Sequence, residues 1–60
     1  MVDTYIREAM VRRVSVTVYT INGYQIKGTI FDDCDSYIVL LSNGKKKMIY
    51  KHAISTIEPS

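Results

Sequence analysis

The sequence has one cysteine, one histidine, one proline, three glycines and no tryptophan among its 60 residues. The lone Cys34 excludes an intrachain disulfide, and with His52 it falls short of the four ligands of a structural zinc site. No apolar run approaches the roughly 20 residues needed to span a bilayer. The first ten positions carry Asp3, Arg7 and Glu8 without an apolar core, so they do not read as a signal peptide. A free thiol with no export signal suits the cytosol. Pro59 lies near the C-terminus, leaving every earlier segment free to form helix or strand. Linkers, repeats and low-complexity tracts are absent, and one domain over 1–60 is expected.

A chain this short buries only about 60% of the surface it exposes when unfolded. With disulfide and metal excluded, self-association is the remaining common support for so small a core. Charge is mildly basic, eight Lys plus Arg against six Asp plus Glu for a net of +2. One copy attracts nucleic acid weakly, whereas a ring of copies would gather that charge on particular faces.

Val2, Tyr5, Ile6, Ala9 and Met10 recur at helical spacing and predict a short amphipathic helix over about 3–12. Asp3 is the expected N-cap, and Arg12 and Arg13 favour the C-terminal end of the helix dipole. Period two then takes over: Val14, Val16 and Val18 alternate with Ser15, Thr17 and Tyr19 in a half-buried strand. Asn22-Gly23 predicts a type I′ hairpin turn. A second strand follows from Tyr24 to about Asp33, with Gly28 marking a sharp bend or bulge. Tyr37–Leu41 reads as a third strand, Asn43-Gly44 as another hairpin turn, and Lys46–Tyr50 as a fourth strand. A short fifth strand is expected from His52 or Ala53 to Ile57. The pattern is mainly β: a helix followed by a strongly bent five-stranded antiparallel sheet, or small open barrel, over about 14–57. Short unpaired edges invite pairing with another copy, and two different edges give head-to-tail contacts that can close a ring.

Several residues have plain structural explanations. Lys51-His52 can be a polar pair at a strand end, and Lys45-Lys46-Lys47 a solvated edge guarded against aggregation. The five tyrosines can serve as amphipathic packing residues. Acidic neighbours disfavour a reactive Cys34 thiolate. Catalysis would need Cys34, His52 and an Asp to meet, and nothing in their spacing supports that assembly. No enzyme and no cofactor are expected.

The segment Tyr50-Lys51-His52-Ala53-Ile54-Ser55-Thr56, YKHAIST, resembles the second Sm signature of Hfq. Asn22-Gly23, Gly28 and Asp35, followed by an apolar strand, resemble the first. The resemblance covers essentially the whole chain. It implies an Sm-like fold in a homohexameric ring that binds RNA, with uridine-rich RNA on a proximal face and adenine-rich RNA on a distal face. It also implies a rim that helps small regulatory RNAs pair with messages in the cytoplasm. No membrane or small-molecule substrate is implied.

For the proximal face the matching residues are Ser36, Tyr37, Lys51 and His52. Val2 stands where some members carry a pocket-lining glutamine. For the distal face the matches are Tyr19, Gly23, Tyr24, Gln25, Ile26, Lys27, Lys47 and Thr56; an aromatic before Gln25 resembles the Gram-positive pattern. For the rim they are Arg7, Arg12 and Arg13, with Met10 and Val11 where other members carry arginine. Phe31 to Cys34 is one residue longer than the family pattern, which predicts a bulge near Asp32-Asp33. Two alternatives are an Hfq-like paralogue lacking the ring or one face, and a monomeric SH3-like module that binds protein through its aromatics.

Overall fold

The computed structural model describes residues 2–60, with side chains from Asp3 onward. The Val2 side chain, singled out above for the proximal pocket, lies outside that description. The chain forms helix α1 (Val2–Arg12) and strands β1 (Ser15–Thr20), β2 (Gln25–Asp33), β3 (Tyr37–Ser42), β4 (Lys45–Tyr50) and β5 (Ile54–Pro59). All pairings are antiparallel, in the order β4-β3-β2-β1-β5.

Strand β2 is the spine of the sheet. Its first half pairs with β1 from Ser15↔Thr29 to Tyr19↔Gln25, and its second half pairs with β3 from Thr29↔Leu41 to Asp33↔Ile38. The two halves serve different neighbours, so β2 must bend where they meet, and Gly28 sits at that place. A Cβ on Gly28 would collide with the Leu41 carbonyl oxygen and would stand 3.2 Å from Leu40 Cγ. Absence of a side chain there lets β3 close over β2.

The core has two sources. The sheet contributes Val16, Val18, Ile30, Ile38, Leu40 and Ile49, and the helix contributes Ile6 and Ala9. Tyr5 and Met10 flank them on the helical stripe, half-buried. The helix packs mainly against β2.

The structure corrects five local expectations. Asp3 lies inside the first helical turn rather than capping it, because its carboxylate is engaged with Lys51 instead. The first hairpin is not type I′: Gly23 has φ 92°, while Asn22 is not among the residues with positive φ. Gly23 N–H donates to the Thr20 carbonyl and Thr20 N–H to the Tyr24 carbonyl, both at 3.0 Å. This is a three-residue loop closed by a left-handed glycine. Asn43 (φ 53°) and Gly44 (φ 77°) form the doubly left-handed turn instead. The bulge lies at Phe31, since Ile30↔Leu40 is followed by Asp32↔Val39. A 3-10 turn, Lys51–Ala53, precedes β5 and delays its start to Ile54. Thr17, expected on the wet side, is 4% exposed; its hydroxyl lies 2.8 Å from that of Ser60.

Helix α1 ends in a Schellman arrangement. Arg13 N–H donates to the Met10 carbonyl at 3.2 Å and Val14 N–H to the Ala9 carbonyl at 3.3 Å. Arg13 therefore holds φ 56°, a left-handed conformation that glycine adopts without strain. Arg13→Gly is expected to stabilise the fold by about 1 kcal/mol, which in so small a domain raises the thermal midpoint by about 4–8 °C. Calorimetry would check it, and an unchanged or lower midpoint would show that the arginine side chain offsets its own strain.

Candidate nucleic-acid interface

The turn between β2 and β3 and the turn between β4 and β5 are brought together by strand pairing. Tyr37 opposes Tyr50 across β3 and β4, and Lys51 N–H donates to the Ser36 carbonyl at 2.9 Å. Ser36, Tyr37, Lys51 and His52, fourteen or more positions apart across the two turns, thus become neighbours. His52 is exposed and stacks on Tyr50, with ring centroids 5.5 Å apart and an 18° interplanar angle. Cys34 N–H donates to the Tyr37 carbonyl at 3.0 Å and closes the tight turn. Hydrogen bonding and charge at the Cys34 sulfur, chiefly, push the Tyr37 phenol above its ordinary value. The cluster offers an aromatic ring for base stacking, an imidazole that donates or accepts, and an ammonium.

That ammonium is already engaged. Lys51 Nζ lies 2.9 Å from Asp33 Oδ1 and 3.1 Å from Asp3 Oδ1, while Arg7 Nη2 lies 3.9 Å from Asp33 Oδ2. The Asp33 side chain is only 4% exposed. Its Oδ1 meets the ammonium as an ion pair rather than through a well-directed hydrogen bond. Interaction with Asp33, opposed by desolvation and reinforced by Asp3, holds Lys51 above the ordinary lysine value. A raised lysine value means that this pairing stabilises the fold fully below pH ~10.4, and that the contribution fades as pH rises through the raised value. Arg7, expected with the rim arginines, has its guanidinium beside this network and is mostly exposed.

A second group lies around β1, its turn and its neighbours. Tyr19 pairs with Gln25 on one side and Thr56 on the other, and Thr17 pairs with Lys27 and Glu58. Tyr19, Gln25, Lys27 and Thr56 therefore share one side of the sheet. Gly23 and Tyr24 are exposed in the adjoining turn. Ile26 and Lys47 pair with the core residues Val18 and Leu40 and belong to the opposite parity. They meet Gln25, Lys27, Ser42 and Asn43 around a concavity of ≈ 400 Å³.

In this second group sequence reasoning missed one participant, Glu58. Tyr19 Oη donates to Glu58 Oε2 at 2.7 Å, so an acid fixes the most central tyrosine of this side. The hydrogen bond to Glu58, with smaller desolvation and charge effects, raises the Tyr19 phenol above its ordinary value. Glu58→Gln is expected to return the Tyr19 titration toward pH ~10, as read by ultraviolet absorbance. No movement would mean that Glu58 does not hold the phenol in solution. The sequence signal was available, since Glu58 lies two places from Thr56 in the same strand and so on the same side.

At the helix end Arg12, Arg13 and Val11 are exposed. Met10 and Arg13 line a ≈ 270 Å³ concavity with Thr29, Ile30, Phe31 and Leu41. Lys46 Nζ sits 4.2 Å above the centre of the Phe31 ring, a cation–π contact that places this lysine against the bulge. Among the described residues no cluster of three or more His, Cys, Asp or Glu could hold a metal ion, and no helix is long and apolar enough to cross a membrane.

Known proteins share this fold. The family model described as Hfq protein matches residues 1–60. An RNA-binding protein Hfq of Clostridioides difficile is 46% identical, over 95% of this chain and 67% of that protein. One from Alkaliphilus oremlandii is 40% identical, over 97% of this chain and 72% of that protein. A crystal structure of the pleiotropic translational regulator Hfq superposes with a TM-score of 0.87 at 40% identity, covering 92% of each chain. An Hfq protein from Anabaena keeps the fold at 16% identity, with a TM-score of 0.83 over 95% of this chain and 92% of that one. With a matching model along its whole length, relatives well above 30% identity and the same bent sheet behind its N-terminal helix, the chain belongs to the Hfq family.

Proposed function

We propose that this chain binds single-stranded RNA as a homohexameric ring and brings small regulatory RNAs and messages together in the bacterial cytoplasm. It makes and breaks no covalent bond. The observation that carries the reading is the joining of Ser36, Tyr37, Lys51 and His52 through the Lys51 N–H bond to the Ser36 carbonyl. These residues form the proximal site for uridine-rich RNA: Tyr37 stacks on the base, Lys51 and His52 donate hydrogen bonds, and Ser36 lines the pocket. Tyr19, Gly23, Tyr24, Gln25, Ile26, Lys27, Lys47 and Thr56 form the distal site for adenine-rich RNA. The rim carries Arg12 and Arg13, with Arg7 nearby, and is weakened by Met10 and Val11.

Free edges support the ring. Among the described residues, strands β4 and β5 each have one partner and lie at opposite ends of the sheet. Main-chain pairing of one copy's β4 with the next copy's β5 continues the sheet and closes head to tail. Six shallow pockets on one ring then act together through their linkage.

Fluorescence anisotropy with short oligo-U, oligo-A and oligo-C tests the reading, alongside native mass for the ring. Tight binding of U and A with much weaker C is expected. Binding of all three without preference, or a monomeric mass, would overturn it.

A further inference from the structure

Asp33 is the least exposed carboxylate side chain in the ion-pair network, and the bulge explains how it got there. Without a bulge, alternation from the buried Ile30 would turn Asp32 inward and Asp33 outward. Phe31 is skipped in the pairing, so Asp32 instead opposes the half-buried Val39 and Asp33 opposes Ile38, which is fully buried. One additional residue reverses the parity and turns the Asp33 carboxylate toward Lys51.

Among the described residues, the charges in ion-pair contact around Lys51 then balance. Lys51 and Arg7 contribute two positive charges, Asp33 and Asp3 two negative ones, all within the contacts given above. The other lysines differ: among the described residues Lys27, Lys45, Lys46 and Lys47 make no ion pair. A paired ammonium is a poor counter-ion for phosphate, because binding RNA there displaces few condensed cations. It remains a good hydrogen-bond donor, held by its hydrogen bond to Asp3 and its contact with Asp33.

We propose that Asp33 is a positioning residue of the proximal site: with Asp3 it neutralises and aims Lys51, so that this face reads the uracil base rather than the phosphate backbone. The proposal rests on the proximal reading above and deepens it. Its consequence is a difference between the two faces. Oligo-U affinity depends weakly on salt, whereas oligo-A affinity, supported by Lys27 and Lys47, depends on it steeply.

The test measures oligo-U and oligo-A affinity across a salt series for the full chain and for Asp33→Asn and Asp33→Glu. The unaltered protein is expected to show the shallower slope with oligo-U. In Asp33→Asn the ammonium keeps only the exposed Asp3 as a carboxylate partner and becomes a phosphate contact. The oligo-U slope steepens by about 0.7 for each phosphate reached, and the preference for U over C falls about tenfold. Asp33→Glu restores the carboxylate and keeps slope and preference near those of the unaltered protein, an outcome that a merely structural role does not require. Equal slopes for U and A in the unaltered protein would overturn the proposal while leaving the proximal site standing, and so would an Asp33→Asn protein with unchanged slope and preference. Failure of the unaltered protein to bind oligo-U would overturn the proximal reading itself.

Discussion

Replacing Lys51 and His52 together by alanine is expected to weaken oligo-uridine binding about 100-fold while oligo-adenosine binding stays within about twofold. The magnitude follows from two lost hydrogen bonds at about 1.5 kcal/mol each, since 1.4 kcal/mol is tenfold in affinity. Lys51 has a second role, however. It is the nearest cation to Asp33, whose side chain is almost fully buried, and removing one partner of a buried pair is strongly destabilising. The companion variant Tyr37→Leu avoids this difficulty, because Tyr37 belongs to none of the ion pairs. It removes the stacking surface and keeps apolar bulk, and stacking contributes about 1–3 kcal/mol per base. Loss of U binding in both variants, with A binding retained, supports two separate faces. Equal loss of U and A in Tyr37→Leu would sink the two-face reading.

Gly28→Ala is expected to destabilise the fold more than alanine at Gly23 or Gly44. Its Cβ has no room beside the Leu41 carbonyl, and the obstacle is backbone, which cannot rotate away. Relief requires β3 to move off β2, and overpacking of this kind costs about 1–3 kcal/mol. A domain of this size has only about 3–9 kcal/mol in total. The thermal midpoint should fall by several degrees for each kcal/mol, as followed by circular dichroism. Gly44→Ala serves as the contrast. Nothing lies within 4 Å of its added Cβ, and only the positive φ of 77° resists it. A smaller loss at Gly28 than at Gly44 would mean that β2 and β3 are not so closely apposed in solution.

Much of this architecture was legible because it depends on period and punctuation. Alternation around Val16 and Val18 identified β1, and both valines are fully buried. Asn43-Gly44 and Gly28 marked a turn and a bend where the backbone requires them. YKHAIST located the turn that joins Lys51 and His52 to Ser36 and Tyr37. What escaped depends on register. The extra residue near Phe31–Cys34 was visible, yet its place in the ladder decides which aspartate turns inward, and pairing with β3 alone sets that place. Asp33 was therefore invisible as a partner of Lys51. Asn22-Gly23 misled for a related reason: the dipeptide permits two left-handed residues, but the flanking pairs of β1 and β2 needed only one. Glu58 was overlooked because the fifth strand was expected to end at Ile57, one residue before it, whereas β5 runs to Pro59.

The strand order has a consequence for synthesis. Strand β1 leaves the ribosome before β5, its partner, with three other strands made in between. Thr17 meets Glu58 only when β2, β3 and β4 have also been made. Until then, one side of β1 lacks its partner, and a core needing Val16 and Val18 is unsealed along that side. Long-range pairing of this kind is slow because the intervening loop must be ordered first. The nascent chain thus waits, with an unsatisfied strand edge, for β5. Neighbouring ribosomes on one message would hold several such edges close together, and if the sheet ends meet other copies as proposed, correct closure depends on β5 arriving before a stranger does.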